Sequence, residues 1–171
     1  RYFSVADQVL DFDGMVRALA GAPTGDVVLL QGCCHNPTGS DLTFEQWQQV
    51  AKICSDRGLV PFIDVAYHGL GSGLDTDLAG VCALLEQVPE AIVTVSCSKN
   101  FGLYRERTGA LFIVCDSAAT SSVAQSNVLS IARASYSMPP DHGAAIVRTI
   151  LQDATLTANW KAELHSMQQR M

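Results

Sequence analysis

Three short apolar runs, each bounded by helix or turn signals, limit what this chain can fold into. They are rich in β-branched residues and are separated by stretches long enough for a helix. The runs span residues 27–31, 59–66 and 91–98. Alternation of buried strands with helices is typical of a parallel sheet covered on both faces. The sequence therefore predicts a three-layer α/β/α fold around a mostly parallel sheet.

The two stretches between the three apolar runs carry helix signals, and a fourth apolar run follows the third run. Residues 43–57 are predicted as a helix because Thr43 can act as the N-cap, Gln46 stands three residues later, and Gly58 follows the end. A second helix is predicted over residues 75–87. The fourth run, residues 109–115, comes after a link too short for a crossover helix, so we expect this strand to run antiparallel.

The last third of the chain is helical in character. Residues 117–135 are predicted as one helix, which Pro139 and Pro140 bring to an end. Asp141 can then cap a long final helix that runs toward Met171. We expect residues 1–171 to form a single, incomplete domain.

Composition and cysteine usage exclude several classes of function. With 11 basic and 17 acidic residues the formal net charge is −6, which argues against nucleic acid as the main partner. No apolar stretch approaches the roughly 20 residues of a membrane-spanning helix, so no membrane segment is expected. The six cysteines include no Cys-x-x-Cys pair, which favours a reduced, cytoplasmic protein. Cys33, Cys34 and His35 are adjacent but lack a second, distant ligand pair, so no metal site is predicted.

Polar residues collect where the first three predicted strands end. Ligands of parallel sheets bind outside the carboxyl ends of the strands, and the spacing of these residues suits one strand-helix-strand step each. We therefore predict that they form one site. Its members are Asn36 after the first strand, Asp64 and Tyr67 at the second, and Ser96, Ser98 and Lys99 at the third.

Two charged residues of this set need an explanation. Lys99 follows a buried strand and precedes Arg105 and Arg107. Burial and neighbouring cations favour the neutral amine, which is the form that makes a Schiff base. Asp64 lies within an apolar strand and needs a partner there. A structural ion pair, a helix cap and a protonated ring nitrogen all satisfy that need.

The glycine-rich stretch at residues 69–73, GLGSG, does not add a nucleotide site. It lacks the Gly-x-Gly-x-x-Gly spacing and opens no evident helix. We interpret it as a flexible loop.

Four segments carry a resemblance to a known family. They are HNPTG at residues 35–39, DVAY at 64–67, SCSKNFGLYRER at 96–107 and RASYSMPP at 133–140. Together they resemble the fold-type-I pyridoxal phosphate enzymes, specifically the aspartate and aromatic amino acid aminotransferases. The resemblance implies transamination of an amino acid with a 2-oxo acid such as 2-oxoglutarate. It also implies that the chain is the second half of the large domain, ending toward a missing small domain.

The resemblance implies a chemical role for four residues. Lys99 would form the Schiff base with pyridoxal 5′-phosphate and move the proton between substrate and cofactor. Asp64 would keep the pyridine nitrogen protonated. Asn36 and Tyr67 would hydrogen-bond the phenolic oxygen of the cofactor.

The resemblance also implies which residues bind the phosphate and the substrate. Ser96, Ser98 and Arg107 would bind the phosphate, and Asn36 and Arg133 would contact the substrate. Arg133 matches a position that reaches into the neighbouring subunit's site, so a homodimer is expected. The arginine for the substrate α-carboxylate matches no position of this chain, so we expect the fragment alone to be inactive.

Two positions, Met138 and Gln31, depart from the pattern of aspartate enzymes. Met138 replaces a common asparagine, and with Tyr136 it favours an aromatic or broad-range enzyme without fixing the preferred amino acid. Gln31 stands where a histidine often supports the aspartate that Asp64 matches.

Other functions stay open. A pyridoxal phosphate lyase or decarboxylase uses the same lysine and aspartate. A regulatory or binding domain of the same fold, or a silent structural module, is the non-enzymatic alternative.

Overall fold

The computed structural model describes residues 2–170 and contains, within them, six strands and six helices. The strands are β1 (Phe3–Ser4), β2 (Val9–Leu10), β3 (Val27–Gln31), β4 (Val60–Val65), β5 (Ala91–Ser96) and β6 (Gly109–Val114). The helices are α1 (Phe12–Gly21), α2 (Phe44–Arg57), α3 (Leu74–Leu85), α4 (Ala118–Tyr136), α5 (His142–Gln152) and α6 (Ala154–Gln168).

The main sheet is mixed, with the order β3-β4-β5-β6. β3, β4 and β5 are parallel neighbours, whereas β6 runs antiparallel to β5. This confirms the predicted α/β class and the reversed fourth strand. The register places Asp64 between Gln31 of β3 and Thr94 of β5. β5 ends at Ser96, two residues earlier than predicted, so Ser98 lies in the following turn.

One face of the sheet is closely packed and the other is partly open. The core buries Ile63, Val65 and Val93 of the sheet against side chains of α2 and α3. On the opposite face of β3, Val27 and Leu29 are 59% and 69% exposed. Side chains alternate between the faces of a strand, so these two point away from the packed helices.

The first predicted helix begins and ends as its sequence indicates. Thr43 Oγ1 accepts from the Gln46 amide at 3.2 Å, and Gln46 Oε1 accepts from the Thr43 amide at 2.9 Å. This reciprocal pair satisfies two amides that the first turn leaves free. Gly58 takes a φ of 63°, the left-handed conformation that ends many helices.

The long final helix predicted from Asp141 is wrong. The structure has two helices there, α5 and α6, which meet at Asp153. The Asp153 carboxylate accepts from the Leu156 amide at 2.9 Å and starts a new helix, as aspartate does at N-caps. Asp141 makes no such side-chain bond. α6 ends at Gln168, short of the predicted extension toward Met171, and Met171 itself lies outside the described residues.

The elements before β3 carried weak signals in the sequence. β1 and β2 pair as a two-stranded antiparallel ribbon, and each is too short to show a period of two. α1 follows, and the Asp11 carboxylate caps it by accepting from the Gly14 amide at 2.8 Å. Among residues 2–170, no helix has the length and apolar character needed to cross a membrane.

Candidate active site

Three of the predicted site residues meet at the carboxyl edge of the sheet. Asn36 Nδ2 donates to the Tyr67 hydroxyl at 3.4 Å. Lys99 Nζ lies over the Tyr67 ring, 4.8 Å from its centroid, within reach of a cation–π contact. The turns after β3, β4 and β5 therefore converge on Tyr67, which is the convergence that the strand spacing predicts.

The turn that presents Asn36 is held by two side chains. The Asn36 amide donates to Gln31 Oε1 at 2.6 Å. The Asp41 carboxylate accepts from the Cys34 amide at 2.7 Å and from the His35 amide at 2.9 Å. Sequence reasoning missed Asp41, although an aspartate just after a tight turn is well placed to accept its free amides. Gln31 sits beside Asp64 in the register, yet its side chain supports the Asn36 turn.

Asp64 is a half-buried carboxylate with little to balance its charge. Its side-chain hydrogen bond is with Thr94 Oγ1 at 3.5 Å, and that hydroxyl also contacts the Ile63 carbonyl at 3.3 Å. Among residues 2–170 no ion pair involves Asp64. The structural ion pair, which was one open interpretation, is therefore not found there. The carboxylate remains able to accept a hydrogen bond from a bound cationic group.

Lys99 lies in a tight turn directly after β5. The Gly102 amide donates to the Lys99 carbonyl at 3.1 Å, and the Ser98 amide donates to Ser96 Oγ at 3.1 Å. Ser98 is 5% exposed, whereas Lys99 is half-buried. The amine is thus placed on a short, hydrogen-bonded segment at the edge of the core.

The structure does not bring the two predicted arginines into this cluster. Arg107 is exposed, and its guanidinium donates to the Tyr104 carbonyl at 3.1 Å. Within residues 2–170 it has no hydrogen bond with Ser96 or Ser98. Arg133 is exposed on α4 and donates to the Ser137 hydroxyl.

The glycine-rich loop after Tyr67 is anchored by a buried carboxylate. Asp77, which is 7% exposed in the first turn of α3, accepts from the amides of Gly69 at 2.8 Å, Gly71 at 3.1 Å and Ser72 at 2.6 Å. Gln168 Nε2 donates to the Gly71 carbonyl at 2.7 Å. The predicted loop is present, but these bonds do not fit the flexibility we expected of it. The acidic residue early in α3 was the signal that sequence reasoning passed over.

An open depression lies beside Asn36 and Tyr67. Its volume is about 510 Å³, and Cys34, Pro37 and Gly71 also line it. That volume falls within the usual size of small-molecule sites.

The thiols near the site are held in their neutral form. All six cysteines are free. Burial, followed by the nearby Asp77 carboxylate, raises the pKa of Cys33 far above its ordinary value. Burial also raises the pKa of Cys34 and Cys97, and it raises that of Cys54 to about 11. Within residues 2–170, no group of three or more His, Cys, Asp or Glu side chains could hold a metal ion.

Comparison with known proteins points the same way as the geometry. The family model for aminotransferases of class I and II matches residues 1–171. The chain is 54% identical over 170 residues to a tyrosine aminotransferase of Rhizobium meliloti (strain 1021), covering 99% of this chain and 44% of that protein. It is 46% identical over 170 residues to an aspartate aminotransferase of Escherichia coli (strain K12), covering 99% of this chain and 43% of that protein.

A solved structure of similar sequence is also close in fold. It is an aromatic-amino-acid aminotransferase from Burkholderia pseudomallei covalently bound to pyridoxal phosphate, with a TM-score of 0.95 and 42% identity. The match covers 99% of this chain and 42% of that one. The chain thus spans less than half the length of the relatives it matches.

Proposed function

The chain belongs to the aminotransferases of class I and II, and we propose that it supplies the lysine-bearing part of a pyridoxal phosphate site. The reaction is the transfer of an amino group from an aromatic amino acid or aspartate to a 2-oxo acid such as 2-oxoglutarate. The observation that carries the proposal is the meeting of Lys99, Tyr67 and Asn36 at one edge of the sheet, with the unpaired Asp64 carboxylate on the neighbouring strand.

The side chains present fit this cofactor. Pyridoxal phosphate supplies an electron sink when it is bound. Lys99 Nζ would hold the cofactor by its aldehyde, and the same nitrogen would hold and move the proton. The Asp64 carboxylate would accept a hydrogen bond from the protonated ring nitrogen, which would supply the cation that this half-buried acid lacks. The Tyr67 hydroxyl and the Asn36 amide would donate to the ring oxygen, and an open depression adjoins these two residues.

We also assign residues to the phosphate and substrate ends of the site. Ser96, Ser98 and Arg107 are the proposed phosphate ligands, because hydroxyls and a guanidinium make charge-assisted bonds with phosphate oxygens. The exposed Arg133 is proposed to serve the site of a partner subunit in a homodimer, while Asn36 contacts the substrate locally. The exposure of Arg133 on α4 is compatible with a role at the site of a partner.

The assembly and the location of the protein remain proposals of the same kind. The chain is proposed to be part of a large cofactor-binding domain, because it spans 43–44% of its curated relatives. The six free thiols fit the predicted cytoplasmic location. No observation favours the lyase, decarboxylase or regulatory alternatives.

The chain contains three lysines, Lys52, Lys99 and Lys161, so the site of attachment can be tested directly. The protein is mixed with pyridoxal phosphate, reduced with borohydride and digested, and the labelled peptide is identified by mass spectrometry. We expect the label on Lys99 and no visible absorption band in Lys99→Ala. Lys52→Ala is the matched control, because Lys52 pairs with Asp56 on the surface at 2.8 Å. Label on Lys52 or Lys161, with an unchanged band in Lys99→Ala, would contradict the proposal.

The activity of the chain by itself is a separate question. We expect little transfer from phenylalanine or aspartate to 2-oxoglutarate, because no residue of this chain is assigned to the substrate α-carboxylate. A turnover equal to that of an intact aminotransferase, measured by product formation, would show that the chain is functionally complete.

A further inference from the structure

Trp160 of α6 contacts the turn that carries Lys99. The indole Nε1 donates to the Asn100 carbonyl at 2.7 Å. The indole ring stacks on Phe101, with centroids 4.4 Å apart and an interplanar angle of 8°. Asn100 and Phe101 directly follow Lys99, so both contacts act within two residues of the amine.

The other hydrogen bonds of this turn are local. The amides of Ser98, Gly102 and Leu103 bond to Ser96, Lys99 and Cys97 respectively. Across residues 2–170, the bond from Trp160 is the one hydrogen bond that joins residues 98–104 to an element other than the adjoining β5. Asn100 is 4% exposed, and its Oδ1 atom finds no hydrogen-bond partner within the described part of the chain. The turn therefore depends on the indole for its long-range anchoring.

The same face of α6 also holds the loop that follows Tyr67. Leu164 lies one turn after Trp160 and is 2% exposed. It sits so close to Gly69 that a Cβ there would lie 2.5 Å from its Cδ2 atom. Gln168, another turn along, bonds to the Gly71 carbonyl. Positions four residues apart share a helix face, so one face of α6 touches the segments behind both Lys99 and Tyr67.

We propose that Trp160 is a positioning residue for Lys99, and the proposal rests on the proposed function. Its N–H fixes the buried Asn100 carbonyl and its ring fixes Phe101, and together they hold Lys99 Nζ over the Tyr67 ring. Loss of the donor leaves a buried carbonyl unpaired, so the turn opens more readily and water reaches the amine.

The test compares the two tryptophans of the chain. Trp160→Phe keeps an aromatic ring but removes the donor. Trp47→Phe is the matched control, because Trp47 is 4% exposed on α2 and packs against Gly80, away from the turn. Amide exchange is followed by mass spectrometry in the protein without cofactor. We expect the Gly102 and Leu103 amides to exchange about fivefold faster in Trp160→Phe, with no change at these amides in Trp47→Phe.

A second readout uses the absorption band that pyridoxal phosphate develops with Lys99. Water entering a loosened turn stabilises the charged form of the nitrogen. The midpoint of the pH titration of the band should therefore rise by roughly half a unit in Trp160→Phe and stay in place in Trp47→Phe. Phe101→Leu, which keeps the donor and removes the stack, should move both readouts by less in the same direction.

Wild-type exchange and an unshifted midpoint in Trp160→Phe and Phe101→Leu would overturn the positioning role. Equal changes at the turn in Trp47→Phe would also overturn it, because they would reflect general loosening. If Trp160→Phe does not fold, Phe101→Leu decides by the same two measurements. Absence of a band in the wild-type chain would contradict the proposed function, and the exchange experiment would still decide whether Trp160 anchors the turn.

Discussion

The sheet module, formed by β3–β5 with α2 and α3, differs sharply from the α4 arm, which spans residues 118–138. In the sheet module, side chains such as Ile63, Leu84 and Val50 are fully buried. In α4 no residue is buried, and Leu129 and Ile131 are 62% and 65% exposed. The module can hold side chains in place by its own packing, whereas the arm cannot.

The proposed chemistry follows the same division. Lys99, Tyr67, Asn36 and Asp64 stand on the module or on turns that leave it, where a reacting group gains a fixed position. Arg133 lies on the α4 arm, and the proposed partner subunit would pack around its side chain. Residues that need fixed geometry therefore lie where this chain supplies the packing itself.

The largest effect is expected when the same change, isoleucine to alanine, is made in the sheet module and in the α4 arm. Ile63→Ala should lower the free energy of unfolding by about 2–5 kcal/mol, because it removes a fully buried side chain and leaves a cavity. Ile131→Ala should change it by less than about 0.5 kcal/mol, because the side chain is already 65% exposed. Urea unfolding at the lowest usable protein concentration measures both.

Dilution matters in this experiment because association would bury the arm. The difference between the sheet module and the α4 arm would be contradicted if Ile131→Ala lowered the free energy of unfolding as much as Ile63→Ala does, and if dilution did not reduce that loss. A loss that disappears on dilution would instead locate the arm in a protein–protein contact.

The sheet module was also the part most readily predicted from sequence. Its strands are continuous apolar runs, and Thr43, Gln46 and Gly58 mark both ends of α2 through local bonds alone. The break at Asp153 was missed because a single aspartate within a helical pattern has to be weighed against the residues on either side. The openness of the β3 face could not be predicted, because it depends on what packs there and not on the pattern of the strand.

The next effect is a dependence of stability on pH that comes from Cys54, a buried thiol of the sheet module. Burial raises the pKa of Cys54 to about 11, against an ordinary value of 9.0. Between these two pH values the unfolded chain loses the thiol proton while the folded chain keeps it. The stability contributed by the neutral thiol is therefore complete below pH 9 and is lost toward pH 11, by about 2–3 kcal/mol.

Cys54→Ala should flatten this decline, whereas Cys82→Ala should leave it unchanged because Cys82 is exposed. The measurement is urea unfolding from pH 8.5 to about 11. The difference in slope between the two variants carries the result, since other groups titrate equally in both. Identical slopes would show that ionisation of Cys54 does not oppose the fold.

The third effect concerns the anchor of the loop behind Tyr67. Asp77→Asn leaves one acceptor oxygen where the carboxylate serves three amides, so the free energy of unfolding should fall by about 2 kcal/mol. Asp75→Asn, in the same first turn of α3 but exposed, is the control and should change it by less than about 0.5 kcal/mol. Thermal unfolding followed by circular dichroism distinguishes them, and equal effects would mean that the helix dipole rather than the loop explains Asp77.

The site was predicted in part for the same physical reasons. The spacing of the strands places Asn36, Tyr67 and Lys99 at one edge, and the structure brings these three together. The contact of Trp160 was missed because it joins distant segments through tertiary packing, which strand and helix periods do not encode. Asp41 and Asp77 bond to amides less than ten residues away, and their local signals were passed over. Arg107 and Arg133 were predicted from motifs. Their proposed partners, the cofactor phosphate and the site of a second subunit, are not among the described residues.

The smallest effect tests whether backbone strain, rather than burial, limits stability in the arm. Ser137 has a φ of 72° and a ψ of −67°, and the Met138 amide bonds to the Tyr136 carbonyl at 2.9 Å across it. This γ-turn conformation is strained for a residue with a Cβ, and glycine adopts it with little penalty. Ser137→Gly should therefore be more stable than Ser137→Ala by about 1 kcal/mol, although both lose the bond from Arg133. Urea unfolding of the pair isolates the strain because the lost hydrogen bond is common to both. An alanine variant as stable as the glycine variant would show that the turn relaxes without cost, and the arm would then be limited only by its lack of buried contacts.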